Sequence, residues 1–222
     1  MKRLGREIDL LARYPRTQRN LAERVQFKSD AVRKIARQFG YEYFDGSREF
    51  GYGGFVYSPK FWEGVVQDFV REYGLTSQSS VLDVGCAKGF FLYDLQRAVP
   101  GITVKGLDIS SYAIKNSKQE VKRNLIVGDA REMPFPDNSF DLVVSINTVH
   151  NLDREGCKQA LIEIERVSRK DTFITVDAYR TDIEKERMFD WNLTALTIMS
   201  DREWKEFFLE VEYKGDFFWF IP

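Results

Sequence analysis

Acidic side chains and glycines lie close together between residues 83 and 108, in a pattern that can hold a nucleoside. The segment Asp83-Val-Gly-Cys-Ala-Lys-Gly89 places a carboxylate directly before a glycine turn, and Asp108 follows nineteen residues after Gly89. Glycine lets the backbone approach a ligand closely. A carboxylate at the position of Asp108 can accept hydrogen bonds from both ribose hydroxyls. The spacing therefore predicts a ligand that contains a nucleoside.

Two classes of nucleoside cofactor share this spacing. A nicotinamide dinucleotide site also uses a glycine turn and an acidic residue about 20 positions later. That site normally reads Gly-x-Gly-x-x-Gly, whereas this chain has Ala87 in the middle position. Asp83 would also repel a pyrophosphate, yet it suits the ammonium of a methionine moiety. S-adenosylmethionine has that ammonium and no phosphate, so the residues favour it over a dinucleotide.

Apolar strands that alternate with helical segments would position these residues. The predicted strands cover residues 81–84, 103–107, 125–127, 140–146 and 172–177, and the predicted helices cover residues 89–98, 111–119 and 154–168. Strands that are apolar on both faces indicate a parallel sheet covered by helices. Asp83, Asp108 and Asp129 all come at strand carboxyl ends, which is the edge where open α/β sheets bind ligands.

The two ends of the chain depart from this alternation. A capping box formed by Ser200 and Glu203 predicts a helix that ends near Glu210. Residues 217–221 are expected to form an antiparallel strand at or near the sheet edge. Residues 4–39 are expected to form two or three short helices, and the aromatic, glycine-rich stretch 41–57 a structured loop. We interpret residues 1–57 as an N-terminal lid and residues 58–222 as the core domain.

Positive charge is concentrated in the lid. Residues 1–40 carry a net charge of +7, whereas the remaining residues carry −8. Such a segment is either a solvated helical face or a surface that attracts an anionic substrate or a nucleic acid. Both interpretations remain open at this point.

Motifs across residues 78–179 resemble those of class I S-adenosylmethionine-dependent methyltransferases. The segments that carry the resemblance are Asp83 to Gly89, Asp108, Gly128-Asp129-Ala130 and Met133-Pro-Phe-Pro-Asp-Asn-Ser-Phe-Asp-Leu-Val-Val144. The resemblance implies an α/β, Rossmann-like fold with a doubly wound, mostly parallel sheet, and S-adenosylmethionine as cofactor. A second segment, residues 44–54, is similar to one in small bacterial methyltransferases associated with sugar and surface-polysaccharide synthesis.

The family pattern implies a role for each matching residue. The expected cofactor contacts are Asp83, Gly85 and Gly89 around the methionine part, Asp108 and Ile109 at the ribose and adenine, Asp129 and Ala130 at the adenine edge, and Ile146 and Asn147 beneath the transferable methyl.

One residue on the acceptor side is the preferred candidate for a general base. His150 is the single histidine and follows the fourth strand, so we predict that it removes the proton of a hydroxyl acceptor. Asp177 and Tyr179 are the alternative bases. Arg180 would either bind an anionic substrate group or pair with a surface acid. The expected substrate contacts are Tyr52, Tyr57, Asp177, Tyr179 and Arg180, and other aromatics of the loop, Tyr43 among them, are expected to complete the lid.

Several other functions are disfavoured. No Asn/Asp-Pro-Pro-aromatic motif follows the fourth strand, and no cysteine follows Pro134 or Pro136, so the usual base-methylating nucleic-acid enzymes do not match. One histidine and two cysteines make a metal site improbable. No apolar run is long enough to span a bilayer, and no signal core follows the N-terminus. We expect a cytoplasmic protein without membrane partners.

The preferred hypothesis is therefore a methyltransferase that acts on a small anionic acceptor. Such an acceptor would be an acidic sugar or a phosphorylated or nucleotide-linked metabolite in surface-glycan synthesis. An RNA methyltransferase that uses the basic N-terminal helices is one alternative. A degenerate subunit that only holds the cofactor is another. The sequence leaves the oligomeric state open.

Overall fold

A computed structural model describes residues 4–15 and 21–222 of the chain. The strands are β1 Ser80–Val84, β2 Thr103–Asp108, β3 Leu125–Val127, β4 Phe140–Ile146, β5 Ser168–Tyr179, β6 Met199–Ser200 and β7 Asp216–Phe220. The helices are α1 Leu21–Phe27, α2 Asp30–Ala36, α3 Tyr41–Phe44, α4 Pro59–Tyr73, α5 Phe90–Ala98, α6 Ser111–Lys115, α7 Arg154–Val167, α8 Asp182–Trp191 and α9 Asp201–Glu210.

The strands form one sheet in the order β3-β2-β1-β4-β5-β6, and β7 lies beside β5 on the same side as β6. Strand order reverses between β1 and β4, because the chain first builds outward to β3 and then returns to the other side of β1. The α/β, Rossmann-like doubly wound fold expected from the sequence is confirmed. The reversal creates a crevice at the carboxyl ends of β1 and β4, where such sheets bind ligands.

The orientation expected for the C-terminal strand was wrong. β7 runs parallel to β5, with Phe173 opposite Asp216 and Asp177 opposite Phe220. The physical reason is helix α9, which begins beside the carboxyl end of β5, where Ser200 pairs with Tyr179. This helix carries the chain back across the sheet before β7 starts, and a helical crossover leads to a parallel strand.

Alternate strand residues face two separate cores. Leu82 of β1 packs in one cluster with α7 and α9, whereas Val81 packs in another with α4 and α5. The first core includes Ile164 and Phe208, and both side chains are fully buried. Apolar residues are therefore needed on both faces of the central strands, which explains why their sequences lack a polar alternation.

Some helix boundaries differ from expectation. α6 ends at Lys115 rather than at residue 119, and α8 was not predicted. Of the residues in α8, Met188 alone is buried, so the helix has no apolar periodicity for a sequence pattern to reveal. Its signal was instead the capping box of Thr181 and Glu184.

The described residues before α1 contact β7 and the core cluster of α4 and α5. The Ile8 amide donates to the Phe217 carbonyl at 3.0 Å, and Arg6 binds the carboxylate of Asp216. Leu10 is buried in the core cluster of α4 and α5. The basic residues Lys2, Arg3, Arg16 and Arg19 lie outside the described residues.

Candidate functional site

Asp83 is a buried carboxylate near the end of β1. It is 5% exposed, and among the described residues its side chain accepts no hydrogen bond. Burial, together with the nearby carboxylate of Asp108, raises the pKa of Asp83 to about 8. A buried acid without a partner is costly. A cation that docks against Asp83 would remove this cost, so the site selects a positively charged group.

The glycine turn after β1 is tightly constrained. Gly85 has a φ of 85°, and a Cβ at this position would lie 2.0 Å from Thr148 Oγ1. The amides of Gly85 and Cys86 both donate to the Leu107 carbonyl, which ties the turn to β2. Gly89 has a φ of 74° and begins α5. The turn therefore excludes side chains at Gly85 by conformation and by space, which leaves bare backbone beside Asp83.

Asp108 at the end of β2 organises the same turn. Its carboxylate accepts hydrogen bonds from the Ala87 amide at 2.7 Å and from the Ser110 amide at 2.8 Å. Ser110, and not Asp108, caps α6 by accepting from the Ala113 amide. Each carboxylate oxygen keeps a second lone pair for a ligand. The position therefore suits a carboxylate that receives ribose hydroxyls.

The region expected to hold adenine has exposed aliphatic side chains on one side. On the other side it has an aspartate that is already paired with an arginine. Ile109 and Val127 are 56% and 52% exposed at the ends of β2 and β3. Exposed aliphatic side chains at this edge offer a surface for a purine face. Asp129 is held by Arg131, whose guanidinium lies 2.6 Å from Asp129 Oδ2 and lowers the pKa of that carboxyl. Half-buried Ala130 packs against the core beside it.

Residues after β4 form the floor near the reversal of strand order. Asn147 has a φ of 52° and is exposed, whereas Ile146 is half-buried. Thr175 of β5 accepts from the Asn147 amide at 2.9 Å and donates its hydroxyl to Asn147 Oδ1 at the same distance. These bonds fix the backbone that would lie beneath the transferable methyl.

His150 is turned toward the protein interior. The ring is 4% exposed, and its Nδ1 accepts a hydrogen bond from the Asp177 amide at 3.0 Å. Its Nε2 lies 3.6 Å from Asp177 Oδ1, and burial lowers the pKa of the imidazole. Neither ring nitrogen is available to a substrate without breaking a contact with Asp177. The role of His150 as base stays a prediction, and the geometry favours a role in holding Asp177.

Asp177 of β5 and Tyr43 of α3 lie near one another, since the charge of Asp177 acts on the Tyr43 hydroxyl. Asp177 Oδ2 accepts from Asn192 Nδ2 at 3.1 Å. Burial raises the pKa of Tyr43, hydrogen bonding with Tyr52 and Thr194 opposes this effect, and the carboxylates of Asp177 and Asp108 add to it. Tyr43 therefore lies between the candidate ribose site and the candidate acceptor site. Its sequence signal, one aromatic among many in the loop, did not separate it from its neighbours.

An ion pair fastens the aromatic loop to the glycine turn. Lys88 Nζ lies 2.7 Å from Asp45 Oδ2, and Asp45 also accepts from the Tyr112 hydroxyl and the Phe55 amide. The Lys88 side chain is 8% exposed. Sequence analysis placed Lys88 in the glycine motif without a role. Its partner lies 43 residues earlier, so no local pattern could have indicated the pairing.

Four predicted substrate residues lie in different places. Tyr52 is exposed and packs on Phe55, near the crevice. The Tyr57 hydroxyl donates to Asp94 at 2.6 Å, so this side chain faces α5. Tyr179 lies against α9, where its hydroxyl is 3.4 Å from Glu203 Oε2. Arg180 pairs with Glu7 at 2.8 Å, which is the surface ion pair considered from the sequence. Tyr57, Tyr179 and Arg180 are thus engaged with other side chains, whereas Tyr52 and Asp177 stay predicted substrate contacts.

The donor set fits S-adenosylmethionine. Asp83 supplies an unpaired buried carboxylate for a cation, Asp108 supplies acceptors for a ribose, and Ile109 supplies an apolar face for a base. The residues that the structure describes contain no group of three or more His, Cys, Asp or Glu side chains that could hold a metal. Within the same ranges, no helix is both long and apolar enough to cross a membrane.

Residues 82–176 match the family model described as a methyltransferase domain. The matched segment covers less than half of the chain, and it begins in β1 and ends in β5. It holds the glycine turn, Asp108 and the strand ends of the site.

Two curated proteins illustrate the range of similar sequences. The chain is 28% identical over 204 residues to sterol 24-C-methyltransferase ERG6B from Gibberella zeae, which covers 84% of this chain and 49% of that protein. It is 33% identical over 107 residues to the mitochondrial arginine-hydroxylase NDUFAF5 from Rattus norvegicus, which covers 48% of this chain and 29% of that protein. The chain thus spans about half or less of the length of these relatives.

Solved structures share the fold at lower sequence identity. A SAM dependent methyltransferase from Aquifex aeolicus superposes with a TM-score of 0.50 at 17% identity, over 87% of this chain and 88% of that chain. The YcgJ protein from Bacillus subtilis superposes with a TM-score of 0.53 at 18% identity, over 66% of each chain. These similarities support the Rossmann-like α/β architecture.

Proposed function

We propose that this protein transfers the methyl group of S-adenosylmethionine to a small anionic acceptor. The observation that carries the proposal is the pairing of Asp83, a buried acid without a partner, with Asp108 at the neighbouring strand end. A dinucleotide would bring a pyrophosphate to this turn, where the carboxylate of Asp108 would repel it and ionisation of Asp83 would be disfavoured. A sulfonium cofactor with an ammonium group would instead favour the ionised form of Asp83, and both carboxylates would then attract it.

The proposed mechanism assigns orientation to the glycine turn and proton removal to Asp177. When bound, S-adenosylmethionine supplies a methyl group that its sulfonium already activates. Asp83 and Asp108 hold the cofactor, and buried surroundings exclude water from the crevice. For a hydroxyl acceptor, Asp177 accepts the proton, while His150 and Asn192 hold its carboxylate in place through the contacts described above.

Basic side chains that directly follow α1 and α2 support a small acceptor over RNA. Lys28 donates to the Phe189 carbonyl, and Arg37 donates to the carbonyls of Thr194 and Ala195. These cations point inward, toward the segment that follows α8. Binding to RNA would instead need a basic stripe open to solvent. The positive charge of the lid is better placed to attract a small anion into the protein.

The acceptor class follows from this charge and from the loop. We propose an acidic sugar or a phosphorylated or nucleotide-linked metabolite of surface-glycan synthesis, because residues 44–54 resemble a segment of small methyltransferases in that process. We also propose a cytoplasmic setting. The two cysteines, Cys86 and Cys157, are buried and free, as is usual in a reducing compartment.

Methyl transfer into a metabolite extract tests the proposed function. Wild-type protein and S-adenosylmethionine with a labelled methyl group should label an anionic small molecule. Treatment of the extract with phosphatase identifies a phosphate-bearing acceptor if it abolishes the labelling. No labelled small molecule in any bacterial extract, from protein that binds the cofactor, would contradict the proposal.

The two candidate bases are separated by a pair of variants. Asp177→Asn should lose at least about 100-fold in turnover, the lower range for a general base, with unchanged affinity for S-adenosylhomocysteine. His150→Gln should lose less, because the glutamine amide can still accept the Asp177 backbone hydrogen bond. Its rate should keep the pH profile of the wild type. A loss in His150→Gln as large as that in Asp177→Asn, with an altered pH profile, would instead assign the proton to His150.

A further inference from the structure

A cavity of about 240 Å³ lies between α2 and the segment that follows α8. Arg33 of α2 and Arg37, the C-cap of that helix, bring positive charge to the cavity. Asn192 also lines it, together with the apolar side chains of Phe189, Leu196 and Ile198. The cavity is separate from the glycine turn, and none of the cofactor contacts described above lines it.

The charge in this cavity is not neutralised. The guanidinium of Arg33 makes no hydrogen bond or ion pair with a described residue, although Arg33 is half-buried. Arg37 donates to the Thr194 carbonyl at 3.1 Å and to the Ala195 carbonyl at 3.3 Å, which are neutral acceptors. Burial and the charge of Arg33 lower the pKa of Arg37, and Asp30 on the same helix offsets this in part. Among the residues that the structure describes, no carboxylate lines the cavity.

Asn192 links the cavity to the proposed base. Its side chain is 4% exposed, and its Nδ2 donates to Asp177 Oδ2. Its Oδ1 is buried and has no hydrogen-bond partner in the described part of the chain. A buried acceptor without a donor is costly. The amide oxygen therefore lacks a hydrogen-bond donor. A hydroxyl or N–H group of a ligand in the cavity can supply one.

We propose that this cavity binds the anionic group of the acceptor, a phosphate or a carboxylate, through Arg33 and Arg37. Guanidinium groups bind both anions through paired N–H donors. Asn192 Oδ1 accepts from a neighbouring hydroxyl or N–H of the same molecule, and the apolar wall contacts its remaining part. Asn192 joins the cavity to Asp177, because it lines the cavity and donates to the Asp177 carboxylate. This inference rests on the proposed function and names the group by which that function selects its substrate.

Titration with simple anions tests the site without knowledge of the acceptor. Inorganic phosphate and acetate are titrated separately, in low-chloride buffer, into protein saturated with S-adenosylhomocysteine. Saturable binding of either anion supports the proposal, and the tighter one identifies the group. Arg33→Gln should weaken that binding at least fivefold, because Arg33 has no other partner among the described residues to lose.

Lys34→Gln is the matched control, because it removes the same charge from the next, exposed position of α2. It should leave anion binding unchanged, and melting curves of both variants show that they are folded. Lack of saturable binding of both anions, or equal weakening by both substitutions, would overturn the proposal. S-adenosylhomocysteine titrated into the same proteins reports on the proposed function separately, since neither position contacts the cofactor site.

Discussion

Three acidic residues at neighbouring strand ends have different partners. Asp83 has none among the described residues, Asp108 accepts from two backbone amides, and Asp129 pairs with Arg131. The sequence predicted all three positions, because an apolar run shows where each strand ends. It could not rank them, since the partners of each carboxylate depend on turns and on side chains outside the strand.

The carboxylate of Asp108 is expected to contribute directly to cofactor binding. Asp108→Ala should weaken binding of S-adenosylhomocysteine by about 1.5–3 kcal/mol, the usual value for hydrogen bonds to a charged group. Calorimetry measures the change. Ser110→Ala serves as the control, because it removes the cap of α6 and keeps the carboxylate. Equal affinity in folded Asp108→Ala and wild type would mean that Asp108 only supports the turn.

The raised pKa of Asp83 implies that cofactor binding releases a proton. At pH 6.5 the free protein holds Asp83 largely protonated, since its pKa is about 8. Binding of cationic S-adenosylmethionine should ionise it and release about one proton. Calorimetry in buffers of different ionisation enthalpy counts that proton. Asp83→Asn should release none and bind weakly, and equal proton release from both proteins would contradict the role of Asp83.

The raised pKa of Asp83 also determines how the stability of the folded protein depends on pH. A folded-state pKa above the unfolded value means that the folded protein prefers neutral Asp83. The contribution to stability is therefore complete below about pH 4 and is lost as the pH rises to about 8. Without cofactor, Asp83→Asn should melt higher than wild type at pH 8. The ionised carboxylate of Asp83 thus lowers the free energy of unfolding, and the same carboxylate creates the site for a cation.

At the scale of elements, long-range contacts account for what the sequence did not reveal. His150 and Asp177 lie 27 residues apart and meet because β4 and β5 are neighbours. Their strand positions were predictable, whereas the inward orientation of the imidazole was not. β7 was assigned the wrong direction because its apolar sequence carries no information about the crossover that precedes it. Ser200, the cap of α9, was predicted because a capping box is local.

The ion pair of Lys88 and Asp45 supports a prediction about the loop. Lys88→Met should lower the free energy of unfolding by about 3 kcal/mol, the low end for removing one partner of a buried pair. Urea denaturation measures it. Arg202→Met removes an exposed pair with Glu206 and should change stability by less than about 1 kcal/mol. Similar losses in the two variants would show that the loop anchor is no stronger than a surface ion pair.

For the whole molecule, charge is divided between two functions. The acidic carboxyl ends of β1 and β2 suit a cationic cofactor, and the cations of α2 suit an anionic acceptor on the opposite side of Asp177. The charge difference between residues 1–40 and the rest of the chain was visible in the sequence. Its direction in space was not, since it depends on how α2 packs on the segment after α8.

The choice of cofactor is the central claim, and calorimetry tests it most directly. S-adenosylmethionine, S-adenosylhomocysteine and NAD are each titrated into the wild-type protein and into Asp83→Asn. We expect the first two to bind wild type and NAD to give no heat of binding. Both adenosyl compounds should lose affinity in Asp83→Asn, because each carries the ammonium group that Asp83 is proposed to hold. Saturable NAD binding, without binding of either adenosyl compound, would contradict the account.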